Sequence, residues 1–195
     1  MKVLLGVTGS VAAKLTDKLI EQLLTASHEV QVIATKSSLY FWKPDDLALE
    51  IKDKVKVWQD KDEWSDSGYA KDSLILHIEL VKWADVLLIA PLSKNTLFKI
   101  AYGAADSLLT CVAVAWWPLD EAGMEMPKPF IIAPAMNTRM WLHPSTDEQL
   151  GKLGDSYMDS LIIVEPVSRQ LACGDTGVGA LAEISNIVNA INTNE

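Results

Sequence analysis

The chain has 195 residues, 49% of them hydrophobic and 22% charged, a balance suited to one globular core. Its formal net charge of −9 argues against a nucleic-acid partner, although neutral backbone N–H groups at a helix start can still hold a phosphate. Two cysteines are too few for a disulfide scaffold, no apolar run approaches the ~18 residues of a membrane helix, and Met1 to Gly6 lack the layout of a secretory signal; a reduced cytoplasmic protein without membrane contact is expected.

Val3 to Val7 reads as a buried strand that ends in the turn Thr8-Gly9-Ser10. Leu15, Leu19, Ile20, Leu23 and Leu24 then recur at helical spacing, and Val30 to Ala34 forms a second strand. Thr35-Lys36-Ser37-Ser38 is expected to open another helix, and Val55 to Trp58 a third strand. Asp60 to Ser73 is polar and acidic and reads as a surface loop or a short irregular helix, before a helical face from Leu74 to Trp83. A strand at Val86 to Ala90 leads through Pro91 to Thr96 into a helix ending near Tyr102, with a buried helix at Leu108 to Trp117. Phe130 to Ala133 is a strand ending at Pro134-Ala135-Met136-Asn137; Asp147 to Met158 is helical and Leu161 to Val164 a last short strand. Ala180 to Ile191 is expected to be the closing helix. Continuous apolar strands joined by crossover helices imply an α/β fold: a single Rossmann-like or flavodoxin-like domain over residues 1–195, with a mainly parallel sheet flanked by helices.

Ligands of such sheets sit in loops after the C-terminal strand ends. Gly9 permits close backbone approach there, Ser10 can cap the first helix, and Thr35, Ser37 and Ser38 offer further hydroxyls, although ordinary capping explains each alone. No complete Gly-x-Gly-x-x-Gly run or Walker lysine follows the first strand, which counts against dinucleotides and nucleoside triphosphates. His77 can exchange a proton near neutrality; a structural role is the alternative. His28, His77 and His143 are too dispersed for zinc. Asn137 can donate to a carboxylate, and Met140 and Trp141 beside it can wall a flat pocket or simply pack. Cys173 lies among Gly174, Gly177 and Gly179 on a segment free enough to act as a flap, where a thiol can give up a proton; Cys111, in an apolar run, reads as packing.

Five blocks carry a resemblance over nearly the whole chain: Gly6-Val7-Thr8-Gly9-Ser10-Val11-Ala12-Ala13, His77 to Asp85, Ala90 to Leu97, Pro134 to Trp141, and Leu171 to Gly179. Together they resemble the homo-oligomeric flavin-containing cysteine decarboxylases, in particular the phosphopantothenoylcysteine decarboxylases. The resemblance implies FMN, with Gly9, Ser10, Thr35, Ser38, Phe41, Ser93, Asn95 and Thr96 in its neighbourhood. It implies homotrimers or assemblies of trimers, with flavin and substrate near subunit boundaries and the Asp106 region reaching in from a neighbouring chain. Ser107 stands where such proteins usually have asparagine, and its shorter side chain puts a direct contact there in question. The implied reaction, part of coenzyme A biosynthesis, turns 4′-phosphopantothenoylcysteine into 4′-phosphopantetheine and carbon dioxide. Flavin oxidation to a thioaldehyde is followed by loss of carbon dioxide to an enethiolate, then by reduction. On this resemblance His77 handles protons, Asn137 and Met140 clamp the carboxylate, and Cys173 is the proton donor in the last step. A peptidyl-cysteine decarboxylase that stops at the enethiol, a noncatalytic phosphatase-regulatory relative and a flavodoxin-like electron carrier are the alternatives; Cys173, with His77 and Asn137, weighs against them.

Overall fold

The computed structural model describes residues 1–63, 74–117, 128–170 and 176–193. Its central sheet contains β1 (Lys2–Val7), β2 (Glu29–Ala34), β3 (Lys56–Trp58), β4 (Val86–Leu92), β5 (Phe130–Pro134) and β6 (Leu161–Ile163). All pairings in it are parallel, in the order β3-β2-β1-β4-β5-β6. This is the Rossmann order of a doubly wound sheet, in which the winding reverses between β1 and β4 and leaves a crevice at their C-terminal ends.

Alternation along the strands divides the core into two layers. Val3, Leu5 and Val7 of β1 share one layer with Val32, Leu88 and Ile131; Leu4 joins Ile33, Leu87, Ile89, Phe130 and Ile132 in the other. Helices α1 (Thr16–Thr25) and α8 (Ile184–Asn192) cover the first layer through Leu19, Ile20, Leu23, Ile187 and Ile191. Helices α3 (Leu76–Trp83), α4 (Lys94–Ala101), α5 (Leu108–Ala115) and α7 (Pro144–Tyr157) cover the second. Burial on both faces accounts for the unbroken apolar runs of β1, β4 and β5. Pro91, which has no N–H to donate, falls at the register irregularity between Ile89 and Leu92, where the ladder to β5 is interrupted. No helix among the described residues is long and apolar enough to cross a membrane.

Two segments differ from the reading of the sequence. Thr35 to Ser38 opens only a 3-10 turn, Ser38–Tyr40, followed by a second turn at Pro44–Asp46 and the short α2 (Leu49–Lys52). Proline disfavours the helical region for the residue before it, and Lys43 is accordingly extended at φ −118° and ψ 106°. Ala180 ends a strand rather than opening a helix: β7 (Val167–Gln170) and β8 (Thr176–Ala180) form an antiparallel hairpin. Gly179 has φ +134°, and a Cβ there would collide with the Met136 carbonyl oxygen, so this strand end requires glycine. The Met136 N–H donates to the Gly179 carbonyl at 2.9 Å and ties the hairpin to the loop after β5.

Candidate functional site

Thr8 locks the two strands at the switch point. Its fully buried Oγ1 donates to the Pro91 carbonyl at 2.7 Å and accepts from the Ser93 N–H at 2.8 Å. A cleft of about 600 Å³ opens beside this lock. Gly9 and Ser10 enter it from the turn after β1, Ser37 and Phe41 from the turns after β2, and Ser93 and Asn95 from the start of α4. Asn137 and Met140 complete it from α6 (Thr138–Trp141) and its cap. Several helical segments begin at its wall with a side chain already occupied as cap. Ser10 accepts from the Ala12 N–H, Ser93 from the Thr96 N–H, and the Asn137 carbonyl oxygen from the Arg139 N–H at 2.9 Å. Apolar groups of Val11, Leu15, Met136 and Leu181 make up much of the remaining surface. Flat apolar walls with neutral donors at helix starts suit a planar aromatic ligand carrying an anionic tail.

Other residues expected at this site stand behind the wall and shape it. Ser38 is fully buried, with its hydroxyl donating to the Thr35 carbonyl at 2.7 Å. Thr35 Oγ1 donates to the Val7 carbonyl at 3.0 Å, and Thr96 Oγ1 accepts from Ser93 Oγ at 3.1 Å. These hydroxyls hold the turns whose neighbours line the cleft. Two cations on the wall were not anticipated from the sequence. Lys94 donates to Thr146 Oγ1 at 2.6 Å and Gln149 Oε1 at 2.8 Å. Burial pulls its pKa below the usual lysine value against the opposing pull of Asp147 and Glu148. Arg169 of β7 also lines the cleft and pairs with Glu183. Cys173, between β7 and β8, lies outside the described residues.

His77 sits in the first turn of α3 and is not part of the cleft wall. Its Nδ1 lies 2.5 Å from Oε1 of Glu63, whose side chain is only 3% exposed. That contact commits one edge of the imidazole and leaves Nε2 as the edge to act outward. Glu63 Oε2 is buried without a hydrogen-bond partner among the described residues. The loop bearing Glu63 is anchored in turn: Asp60 accepts from the Leu108 N–H at 3.0 Å, at the start of α5. Glu63 escaped the sequence reading because it lies in an acidic stretch that composition assigns to the surface; only its burial sets it apart.

Asp106 and Ser107 are close to this second cluster and are likewise absent from the cleft wall. Lys99 donates to Asp106 at 2.5 Å, and this bond, ahead of the others, holds the Asp106 carboxyl below its usual pKa. Ser107 caps α5, accepting from the Thr110 N–H at 3.3 Å. Within the chain the structure thus brings Asn137 and Met140 together with the turn residues, and keeps His77 and Asp106 apart from them. Among the described residues no group of His, Cys, Asp and Glu side chains could hold a metal ion.

The family model described as Flavoprotein matches residues 1–194. A phosphopantothenoylcysteine decarboxylase of Mus musculus is 41% identical over 189 residues, covering 96% of this chain and 83% of the relative. A solved PPC decarboxylase, a cysteine-to-serine mutant complexed with pantothenoylaminoethenethiol, superposes with TM-score 0.85 at 42% identity, over 98% of this chain and 96% of its own. The FMN binding protein AtHal3 is 43% identical, with TM-score 0.80 over 98% and 95% of the two chains.

Proposed function

The chain belongs to the phosphopantothenoylcysteine decarboxylase family of flavoproteins, and from that membership we propose that it binds FMN and decarboxylates 4′-phosphopantothenoylcysteine to 4′-phosphopantetheine. The observation that carries the reading is the cleft at the β1–β4 switch point, where neutral donors at helix starts face apolar walls and Asn137 stands at one side. These residues fit a flavin mononucleotide. Gly9, Ser10, Ser93 and Asn95 offer the polar contacts and Phe41 an apolar face, while Thr35, Ser38 and Thr96 keep the turns in place. FMN, when bound, supplies the two-electron oxidation at the substrate sulfur and the electrons returned at the end.

The protein's own groups orient the substrate and move protons. The Asn137 amide holds the carboxylate that will leave, and Met140 closes the side of that clamp. Once the thiol end has become a thioaldehyde, the electrons of the breaking carbon–carbon bond flow to sulfur, and carbon dioxide departs to leave an enethiolate. Cys173 donates the proton that lets reduction finish. The solved relative with a cysteine-to-serine change and a bound enethiol supports such a role for a cysteine in this family. His77 handles the thiol proton through Nε2, with Glu63 as a positioning residue on Nδ1. His77 and Asp106 lie away from the cleft wall of their own chain; the family resemblance implies a homotrimer or an assembly of trimers, and in that reading a neighbouring copy brings them to the site.

An anaerobic assay with mass analysis tests the reading. FMN-loaded protein given 4′-phosphopantothenoylcysteine should release carbon dioxide and saturated 4′-phosphopantetheine. Neither flavin reduction nor product at full FMN occupancy would refute it.

A further inference from the structure

The cleft is not the only cavity at this edge. A smaller one, about 180 Å³, adjoins it and shares Leu15 and Arg169 as common wall. Its other lining residues include Lys18 and Gln22 on α1 and Glu183 and Ser185 at the start of α8. The chain as a whole carries a net charge of −9, yet this hollow holds two cations against one carboxylate. The carboxylate, Glu183, is the present partner of Arg169, and both side chains are about half exposed, at 57% and 45%. An ion pair so exposed is weak and readily exchanged. Guanidinium binds a phosphate through two parallel N–H bonds, a better match than a single solvent-exposed carboxylate contact.

We propose that this adjoining hollow is a phosphomonoester subsite, in which Arg169 and Lys18 hold the terminal phosphate of the substrate while its cysteine end lies against Asn137. The inference rests on the decarboxylase reading for the identity of that substrate. The layout matches an elongated molecule with an anion at each end. Asn137 and Met140 stand in the cleft, Leu15 and Arg169 form the wall common to both cavities, and Lys18 lines the smaller one. Arg169 exchanges Glu183 for the phosphate as the substrate seats.

The test compares phosphorylated with unphosphorylated substrate on FMN-loaded protein. The wild type should favour 4′-phosphopantothenoylcysteine over pantothenoylcysteine in kcat/KM by about a hundredfold, and Lys18→Met/Arg169→Met should bring that ratio within about threefold of unity. Glu183→Gln separates a ligand role from a structural one. If Arg169 binds phosphate, removing its competitor lowers KM for the phosphorylated substrate; if Arg169 only braces Glu183, this variant behaves like the loss of Arg169. A wild-type ratio near one, or a preference that survives the double variant, overturns the proposal. Calorimetric binding of 4′-phosphopantothenate against pantothenate provides an arm that needs no turnover. Tighter binding of the phosphorylated compound, lost in the double variant, supports the subsite even if neither substrate is decarboxylated. Equal affinities in the wild type overturn it.

Discussion

Gly9→Ala is the substitution through which the cleft is most directly probed. An ideal Cβ at Gly9 would lie 2.6 Å from both Cβ and Oγ of Ser37, whereas ordinary contact begins at 3.4 Å. The two turns must therefore separate by about 0.8 Å. Rotation of the Ser37 hydroxyl relieves only part of the overlap, because its Cβ moves with the backbone. That backbone is tied through Ser38, whose N–H and hydroxyl both bond the Thr35 carbonyl, at 2.9 and 2.7 Å. Overpacking of this kind costs about 1–3 kcal/mol. For a domain of this size the melting temperature should fall by roughly 2–12 °C. The same displacement spreads the cradle, so the FMN dissociation constant should rise by about ten- to a hundredfold. Differential scanning fluorimetry and quenching of flavin fluorescence read the two effects. Ser37→Gly removes the colliding atoms, and the double variant should recover about 1–2 kcal/mol of the loss. Unchanged stability and affinity in Gly9→Ala, or no recovery in the double variant, would refute the steric account.

Asn137→Asp places a carboxylate against the substrate's own, so kcat/KM should fall by about a hundredfold or more with FMN binding retained; unaltered turnover rules out the clamp. Glu63→Gln should lower kcat by about ten- to a hundredfold and abolish the downfield Nδ1 proton of His77 in nitrogen-edited spectra, and persistence of that signal contradicts the positioning role. Burial first, then the carboxylates of Glu63, Asp106 and Asp60, push the Cys111 thiol above its ordinary pKa. In a Cys173→Ser background alkylation of Cys111 should therefore stay slow at pH 8 and accelerate only above the usual thiol range; the rate of a free thiol at pH 8 is the contrary result. Tyr157, which donates to the Ala113 carbonyl at 2.7 Å, is raised by burial from 10.0 to about 12. The folded state thus keeps the phenol proton where the unfolded chain has lost it. The contribution is intact below pH 10 and is lost as pH rises towards 12, and denaturant midpoints of Tyr157→Phe should show a shallower decline there.

The amino-acid sequence alone determined what depends on local repetition. Apolar runs buried on both faces announced β1, β4 and β5, and hydroxyl or amide residues just beyond them marked where helices begin and ligands gather. The blocks around Gly9, Ser93 and Asn137 were legible for the same reason: a cap and its helix lie within a few residues of each other. Tertiary structure alone decided what depends on distant partners. Strand order follows from packing among segments as far apart as β1 and β4, and Thr8 acquires its meaning only from Pro91 and Ser93. The β7–β8 hairpin was hidden because its glycines give no strand signal, and its position depends on Met136. Burial converts Glu63 from one more acid of a polar loop into the partner of His77. It also turns Ser38 and Thr96 inward, since a hydroxyl removed from water must find an acceptor or donor within the fold.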